Sequence, residues 1–194
     1  RIFLFMSKKE RIILFLLAAL NFTHILDFMI MMPLGNYLMP YFNISTQQFS
    51  LLVGAYSISA AISGFIAAFV VYRFDRKRVL LLSYMGFIIG TLACGIAPTY
   101  GLLLTSRILA GIFGGIIGAQ VMAIIADLFT YERRGAAMGA VMSAFAVAST
   151  LGVPFSLYLT NLFDFDWHVP FLLVGGLGIV LLPLVYKFIP GMAE

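Results

Sequence analysis

The amino-acid sequence predicts an all-α membrane protein in which six helices cross the bilayer. Of its 194 residues, 62% are hydrophobic and only 10% are charged, whereas soluble domains carry about 25% charged residues. The apolar residues also fall into six segments, each close to the roughly 20 residues that a helix needs to span the hydrocarbon core. We therefore expect a lipid bilayer to surround the chain.

The six predicted helices form one bundle over residues 12–189, between a tail of residues 1–11 and the start of a loop at residues 190–194. Turn-forming or charged stretches separate them, in chain order GNYLMPYFNISTQQ, RFDRKR, APTYG, FTYERRG and FDFDW, and such residues favour loops. The helices are placed at residues 12–34, 49–72, 79–97, 102–128, 135–162 and 168–189.

Basic residues set the orientation, because lysine and arginine concentrate on the cytoplasmic side of membrane proteins. All but one lie in the tail, the second loop, the fourth loop or the end of helix 6, namely Arg1, Lys8, Lys9, Arg11, Arg73, Arg76, Lys77, Arg78, Arg133, Arg134 and Lys187. Both termini are therefore predicted to be cytoplasmic. The net charge of +4 is then a topology signal, and we expect no nucleic-acid partner.

Two charged residues lie deep inside predicted helices, away from the helix ends. Asp27 in helix 1 lies roughly 10 Å below the outer end of that helix, and Arg107 in helix 4 lies roughly 8 Å below the same surface, at about 1.5 Å of rise per residue. Ionisable residues at such depths face protein or water rather than lipid. If helices 1 and 4 are neighbours, the two charges can pair.

Asn21, His24 and Asp27 recur every three residues on helix 1 and form a polar stripe that Met31 continues. We interpret the stripe as part of a water-accessible pathway in which Asp27 exchanges a proton or meets a cationic partner. Two alternatives stay open. The pair with Arg107 can be purely structural, since buried pairs also serve specificity, and His24 can simply hydrogen-bond a neighbouring helix.

Small residues and a proline mark helices 4 and 5. Gly111, Gly114 and Gly118 lie on the same helical face as Arg107, and such faces let membrane helices approach closely. Plain helix packing explains these glycines, but it also predicts that Arg107 points at another helix. In helix 5, Pro154 beside Gly152 removes a backbone donor and permits a kink, so we predict a flexing point there.

Signatures of catalysis are missing from the sequence. It contains no G-x-S-x-G element, no H-E-x-x-H zinc motif and no G-x-x-x-x-G-K-[ST] phosphate loop. The single cysteine, Cys94, excludes a cysteine cluster. We therefore expect neither enzyme activity nor a bound metal or cofactor.

The loop between helices 2 and 3 resembles a signature of the major facilitator superfamily, G-x-x-x-D-R-x-G-R-[RK]. In the stretch AFVVYRFDRKR, Arg73, Arg76 and Lys77 match this signature, while Tyr72 replaces its aspartate and Asp75 its second glycine. Four further stretches are similar to parts of the N-terminal half of the same family: RILAGIFGG, DLFTYERRGAAMG, GVP and DFDWHVPF. The resemblance covers nearly the whole chain.

This resemblance implies a half-transporter made of two inverted three-helix repeats and working by alternating access. The chain looks most like the drug and sugar efflux branch, including arabinose-efflux-like permeases, where helix 1 often carries an acidic residue at the place of Asp27. We accordingly predict proton-coupled efflux of a small organic solute, a drug or a sugar, across a bacterial inner membrane. The predicted proton and solute pathway comprises Asn21, His24, Asp27 and Arg107.

The resemblance also implies a cytoplasmic gate, in which basic loop residues bind acidic groups and latch the outward-facing state. Its predicted members are Arg73, Asp75, Arg76, Lys77, Asp127, Glu132 and Arg133. The loss of the motif aspartate at Tyr72 weakens this latch. Asp75 then compensates in part, or the inward-facing state is favoured.

Family members normally contain twelve helices, so six present half a cavity. The expected partner is a C-terminal six-helix half on the same polypeptide, or a second copy of the chain if the transporter is half-size. Two other functions stay open: a non-transporting assembly or partner module of the membrane, and an uncoupled facilitator.

Overall fold

The computed structural model describes residues 6–191, and every regular element in that range is helical. Arg1 of the basic tail and residues 192–194 of the predicted loop lie outside it. The α-helices are α1 Lys8–Met29, α2 Gly35–Phe42, α3 Thr46–Val70, α4 Arg76–Ile96, α5 Tyr100–Leu128, α6 Tyr131–Val147, α7 Val153–Leu162 and α8 His168–Phe188. A 3-10 turn, Val71–Arg73, extends α3, and a π-helical turn, Ala148–Gly152, joins α6 to α7.

Six helical units in the described range are long and apolar enough to cross a membrane. They are α1, α3 with its 3-10 turn, α4, α5, the combined α6–α7 and α8. The combined unit, Tyr131–Leu162, is called the fifth span below. The predicted fold class, an all-α membrane protein with six transmembrane helices, is thereby confirmed.

Several spans begin earlier than predicted, because polar caps extend them beyond their apolar runs. The hydroxyl of Ser7 accepts a hydrogen bond from the Glu10 backbone and the Glu10 carboxylate accepts one from the Ser7 backbone. This capping box satisfies free backbone donors and starts α1 at Lys8, so part of the predicted tail is helical. Asp75 likewise caps α4 by accepting a hydrogen bond from the Lys77 backbone, and α4 begins inside the predicted loop.

The connection after α1 differs most from the prediction. Residue 34 was the expected end of helix 1, but α1 ends at Met29. Pro33 disfavours the helical conformation in the residue before it, and the chain turns before the short helix α2, which lies within a predicted loop. This helix buries Leu38 and is followed by Asn43, whose φ of 52° is left-handed.

The six spans form two triplets in chain order, α1–α3–α4 and α5–fifth span–α8. The first helix of each triplet packs against the other two helices of the opposite triplet. α5 packs against α3 and α4, while α1 packs against the fifth span and α8. Because each triplet has three crossings, α1 and α5 run in opposite directions through the bundle. This arrangement is that of two inverted three-helix repeats, and it brings α1 and α5 into contact at the centre.

Candidate functional site

Asp27 of α1 and Arg107 of α5 meet in the centre of the bundle, as their matched depths predicted. Arg107 Nη1 lies 3.3 Å from Asp27 Oδ2 and donates a hydrogen bond to the Asp27 backbone oxygen, also at 3.3 Å. Thr91 of α4 donates a further hydrogen bond to Asp27 Oδ2 at 3.3 Å. Both charged side chains are completely buried, so the pair joins two repeats within a solvent-excluded core.

The polar groups of this pair are only partly satisfied. Within residues 6–191, Asp27 Oδ1 and Arg107 Nε and Nη2 have no hydrogen-bond partner. Aromatic rings surround the guanidinium instead: its central carbon lies 4.6 Å from the ring centroid of Tyr56 and 5.8 Å from that of Phe171. Such cation–π contacts stabilise a desolvated cation by about 2 kcal/mol. The arginine is thus held by the Asp27 carboxylate, the Asp27 backbone oxygen and two rings.

Tyr56 of α3 is a site residue that the sequence did not reveal. Its hydroxyl donates to the backbone oxygen of His24 at 3.1 Å, and its ring lies 5.7 Å from that of Phe28. Gly114 leaves the room that this hydroxyl occupies, since a Cβ there would lie 2.4 Å from Tyr56 Oη. The small-residue face of predicted helix 4, which is α5 in the structure, was the available signal that a bulky side chain packs against it.

The polar stripe of α1 divides between two environments. His24 Nε2 is 2.7 Å from Asn21 Oδ1, and the Asn21 amide donates to the Val141 backbone oxygen of α6 at 3.2 Å. Asn21, Asp27 and Met31 are buried within protein, whereas His24 reaches a cavity. His24 is therefore the stripe residue that faces open space, and Asp27 lies behind it.

This cavity, of about 480 Å³, lies among α1, α3 and α5 with Phe145 of α6 at its edge. Aromatic and small side chains dominate its wall, including Phe28, Tyr56, Phe65 and Phe145. Neither Asp27 nor Arg107 is part of the wall. A solute in the cavity would touch Tyr56, and through that ring it would be next to the buried pair.

At the end of the bundle predicted to be cytoplasmic, Arg76 forms an ion pair with Asp127 and links α4 to α5. Arg73 instead lies over the ring of Tyr72, 5.5 Å from its centroid, and donates to the tyrosine hydroxyl at 3.0 Å. The residue that replaces the motif aspartate therefore engages the neighbouring arginine.

The remaining members of the predicted gate have different partners from one another. Asp75 caps α4 and lies 3.9 Å from Arg78 Nε, while Lys77 lies 5.0 Å from the ring centroid of Tyr186. Arg133 pairs at 3.5 Å with Glu10 of α1. Glu132, expected to meet the basic loop, is exposed in the first turn of α6 and joins none of the ion pairs found in residues 6–191.

Gly152 and Pro154 lie at the irregular part of the fifth span. The Val153 backbone donates to Ala148, five residues earlier, and Pro154 follows in the first turn of α7. A Cβ on Gly152 would lie 3.0 Å from Leu26 Cδ1, so this turn packs closely against the α1 segment that carries Asp27. The predicted kink site is thus a π-helical turn in contact with the ion-pair region.

Comparisons with known proteins give consistent matches. The family model of the Major Facilitator Superfamily matches residues 17–193. The uncharacterized MFS-type transporter YceJ of Bacillus subtilis is 30% identical over 166 residues, which are 86% of this chain and 42% of that protein. Multidrug resistance protein 3 of the same organism is 33% identical over 117 residues, which are 59% of this chain and 22% of that protein.

Among solved structures, a bacterial homolog of the human lysosomal transporter Spinster, inward-facing and unoccupied, aligns with a TM-score of 0.82 and 19% identity. The alignment covers 97% of this chain and 45% of that one. The chain therefore spans less than half the length of these relatives.

Proposed function

Because the chain belongs to the Major Facilitator Superfamily, we propose that it forms the N-terminal half of a secondary active transporter that exports a small organic solute in exchange for protons. The family comprises membrane transporters, and efflux is suggested by the name of another relative, Efflux pump dotC of Dothistroma septosporum. The observation that carries the proposal is the buried Asp27–Arg107 pair, one aromatic ring away from an apolar cavity.

Asp27 is the proton carrier in this mechanism. As a carboxylate it pairs with Arg107, and as a neutral acid it leaves the guanidinium without a counter-charge. Breaking a buried pair by removing one partner costs about 3–5 kcal/mol, which is enough to shift a two-state equilibrium by about two orders of magnitude or more. Protonation can thus drive α1 to move against α5, with Asn21 and His24 lining the route to Asp27.

The cavity wall supports a drug-like solute over a sugar. A sugar needs many hydrogen-bond partners, whereas this wall offers aromatic rings, small side chains and few polar groups, among them His24 and the Tyr56 hydroxyl. Apolar sites bind through buried surface, with a small number of polar groups fixing orientation. We infer a ring-containing solute with a large apolar surface.

A second six-helix half on the same polypeptide completes the cavity in this proposal, and the whole lies in a bacterial inner membrane with both termini in the cytoplasm. The Arg76–Asp127 pair is the core of a cytoplasmic latch that must open during alternating access. Because the pair is partly exposed, it contributes about 1 kcal/mol or less. The latch is therefore weak enough to open in each cycle.

The test is transport by the protein in proteoliposomes, with ethidium as the solute, in wild type and Asp27→Asn. We expect Asp27→Asn to reduce the rate of transport driven by a pH gradient at least about tenfold, since each 1.4 kcal/mol of coupling free energy is a factor of ten. It should retain exchange of ethidium without a gradient. Asp166→Asn, which alters an exposed carboxylate of the loop before α8, is the matched control and should transport normally.

Gradient-driven transport that is unchanged in Asp27→Asn would contradict the proton role of Asp27. If both gradient-driven transport and exchange fail together with a lower melting temperature, the pair is structural. Flux that is insensitive to pH in the wild type would identify an uncoupled facilitator, and absence of any flux would favour a partner module.

A further inference from the structure

Tyr56 belongs both to the wall of the cavity and to the surroundings of the ion pair. Its ring lines the cavity together with His24 and Phe28, and the Arg107 guanidinium lies over the same ring at 4.6 Å. The other ring near Arg107, Phe171, is fully buried on α8 and does not line the cavity. Tyr56 is thus a side chain that can contact a solute in the cavity and Arg107 at the same time, so a change at one can affect the other.

Close contacts with α5 and a hydrogen bond to α1 restrict where the Tyr56 side chain can move. A Cβ at Gly111 would lie 2.6 Å from the Tyr56 backbone oxygen, and one at Gly114 would lie 2.4 Å from the Tyr56 hydroxyl. The hydroxyl is also bonded to the His24 backbone. Since these contacts leave no room toward α5, the cavity is the side toward which the ring can move.

We propose that Tyr56 is a positioning residue that couples occupancy of the cavity to the pairing of Arg107 with Asp27. This inference rests on the proposed function and adds the route by which solute and proton affect each other. A solute packed on the ring keeps it beneath Arg107, which holds the guanidinium against Asp27 and favours the carboxylate. The Asp27 proton then leaves to water as the solute binds.

The coupling is reciprocal, as linkage requires. A proton on Asp27 frees Arg107 from its counter-charge, lets the ring shift into the cavity and weakens solute binding. Solute and proton therefore exclude each other, which is the property that an exchanger of the two needs.

Other ionisable groups face the pair and must be separated from Asp27 in any test. Tyr56 itself on α3 and Cys94 on α4 face the pair, and His24 on α1 lines the cavity beside it. Of these, His24 can itself release a proton when a solute binds. A His24→Gln variant is therefore part of the experiment.

The experiment measures proton release when ethidium binds to the purified protein in weakly buffered detergent solution, with a pH-indicator dye as readout and ethidium fluorescence as the measure of binding. Ethidium carries a permanent charge, so released protons come from the protein. We expect release from wild type and His24→Gln and none from Asp27→Asn. Tyr56→Leu should bind ethidium but release protons at background level, while Tyr56→Phe, which keeps the ring, should retain most of the release.

Phe65→Leu is the matched control, because Phe65 is another aromatic residue of α3 that lines the cavity and has no ring contact with Arg107 among the described residues. It should weaken ethidium binding and leave the protons released per bound ethidium unchanged. Melting temperatures show whether each variant is folded. If Tyr56→Leu is unfolded, Tyr56→Met, which keeps an unbranched apolar side chain, takes its place.

Normal proton release per bound ethidium in folded Tyr56→Leu would overturn the inference while leaving the proposed function intact. Binding without release in the wild type would overturn the proton role of Asp27 and this coupling with it. Absence of ethidium binding by the wild type would overturn the assignment of the cavity as the solute site, on which the coupling depends.

Discussion

At the scale of single residues, the surroundings of Arg107 show how a charged pair is held in the centre of a membrane protein, and in the proposed function they let it respond to protonation. A fully hydrogen-bonded pair would be fixed, whereas this guanidinium makes one ion pair, one hydrogen bond to the Asp27 backbone and two ring contacts, and its Nε and Nη2 have no hydrogen-bond partner among the described residues. The Phe171 contact, which remains when the Tyr56 ring shifts, offsets part of the roughly 3–5 kcal/mol that a lost counter-charge costs. In the proposed transport mechanism, this contact lowers the free-energy cost of protonating Asp27.

A prediction at this scale concerns the glycines of α5, which differ in the space around them. A Cβ at Gly115 would lie 2.2 Å from the Ala60 backbone oxygen and 2.4 Å from Ser63 Oγ, whereas at Gly118 the nearest atom, His24 Nε2, is 3.7 Å away. We expect Gly115→Ala to lower the free energy of unfolding by about 1–3 kcal/mol, because a backbone atom cannot move aside.

The matched control is Gly118→Ala, which adds the same methyl group one turn further along α5. It should leave the melting temperature unchanged or slightly raised, because alanine favours the helix over glycine by about 0.5–1 kcal/mol. Melting curves in detergent measure both variants. Equal melting temperatures for the two would show that α3 and α5 are not in close contact at Gly115.

The sequence predicted the Asp27–Arg107 pair because a charge in an apolar helix is visible and its depth can be calculated. It did not predict Tyr56, because tyrosine is common in membrane helices and its role depends on how α3 is rotated about its axis. That rotation is set by packing of Gly111 and Gly114 against α3. A single sequence shows the small-residue face but does not show which helix packs against it.

At the scale of elements, the ends of the helices depend on polar caps more than on hydropathy. The capping residues Ser7, Ser45 and Asp75 start α1, α3 and α4 within stretches that composition alone assigns to a tail or loops. Short helix α2 escaped prediction because its eight residues follow a turn that contains Pro33 and themselves include Pro40. Apolar length therefore predicted the existence of each span, and local hydrogen bonding determined its ends.

A prediction at the element scale concerns Pro154 and the π-helical turn before it. Pro154→Ala restores a backbone donor, so the turn at Ala148–Gly152 can become regular α-helix. We expect ethidium transport to slow several-fold, because the fifth span loses a flexing point that touches α1, while equilibrium ethidium binding stays within about twofold, a change below 0.5 kcal/mol.

Pro183→Ala is the matched control, since Pro183 lies inside α8, where the helix continues without a π-helical turn. It should leave the transport rate near that of wild type. Transport rates in proteoliposomes and ethidium binding in detergent distinguish the two variants. A wild-type rate in Pro154→Ala would contradict a flexing role for this turn.

At the scale of the whole molecule, the exposed faces of the spans differ in the size of their side chains. The exposed face of α4 carries large side chains such as Leu82, Ile89 and Ile96, as expected against lipid. That of α3 includes the small residues Ser57 and Ala61 among its large ones. Small residues are typical of faces where membrane helices approach one another, so α3 is the candidate contact with a second six-helix half.

The last prediction follows from this difference. Ala61→Trp on α3 and Ile89→Trp on α4 both place an indole on an exposed face, so both variants should fold with wild-type melting temperatures. We expect Ala61→Trp to abolish ethidium transport, because Ala61 also lines the cavity and the indole fills space that the solute and the proposed second half need on this face, whereas Ile89→Trp should transport normally within lipid. Transport in proteoliposomes decides between the two. Normal transport by Ala61→Trp would mean that this face of α3 meets lipid, and the partner would then contact the bundle elsewhere.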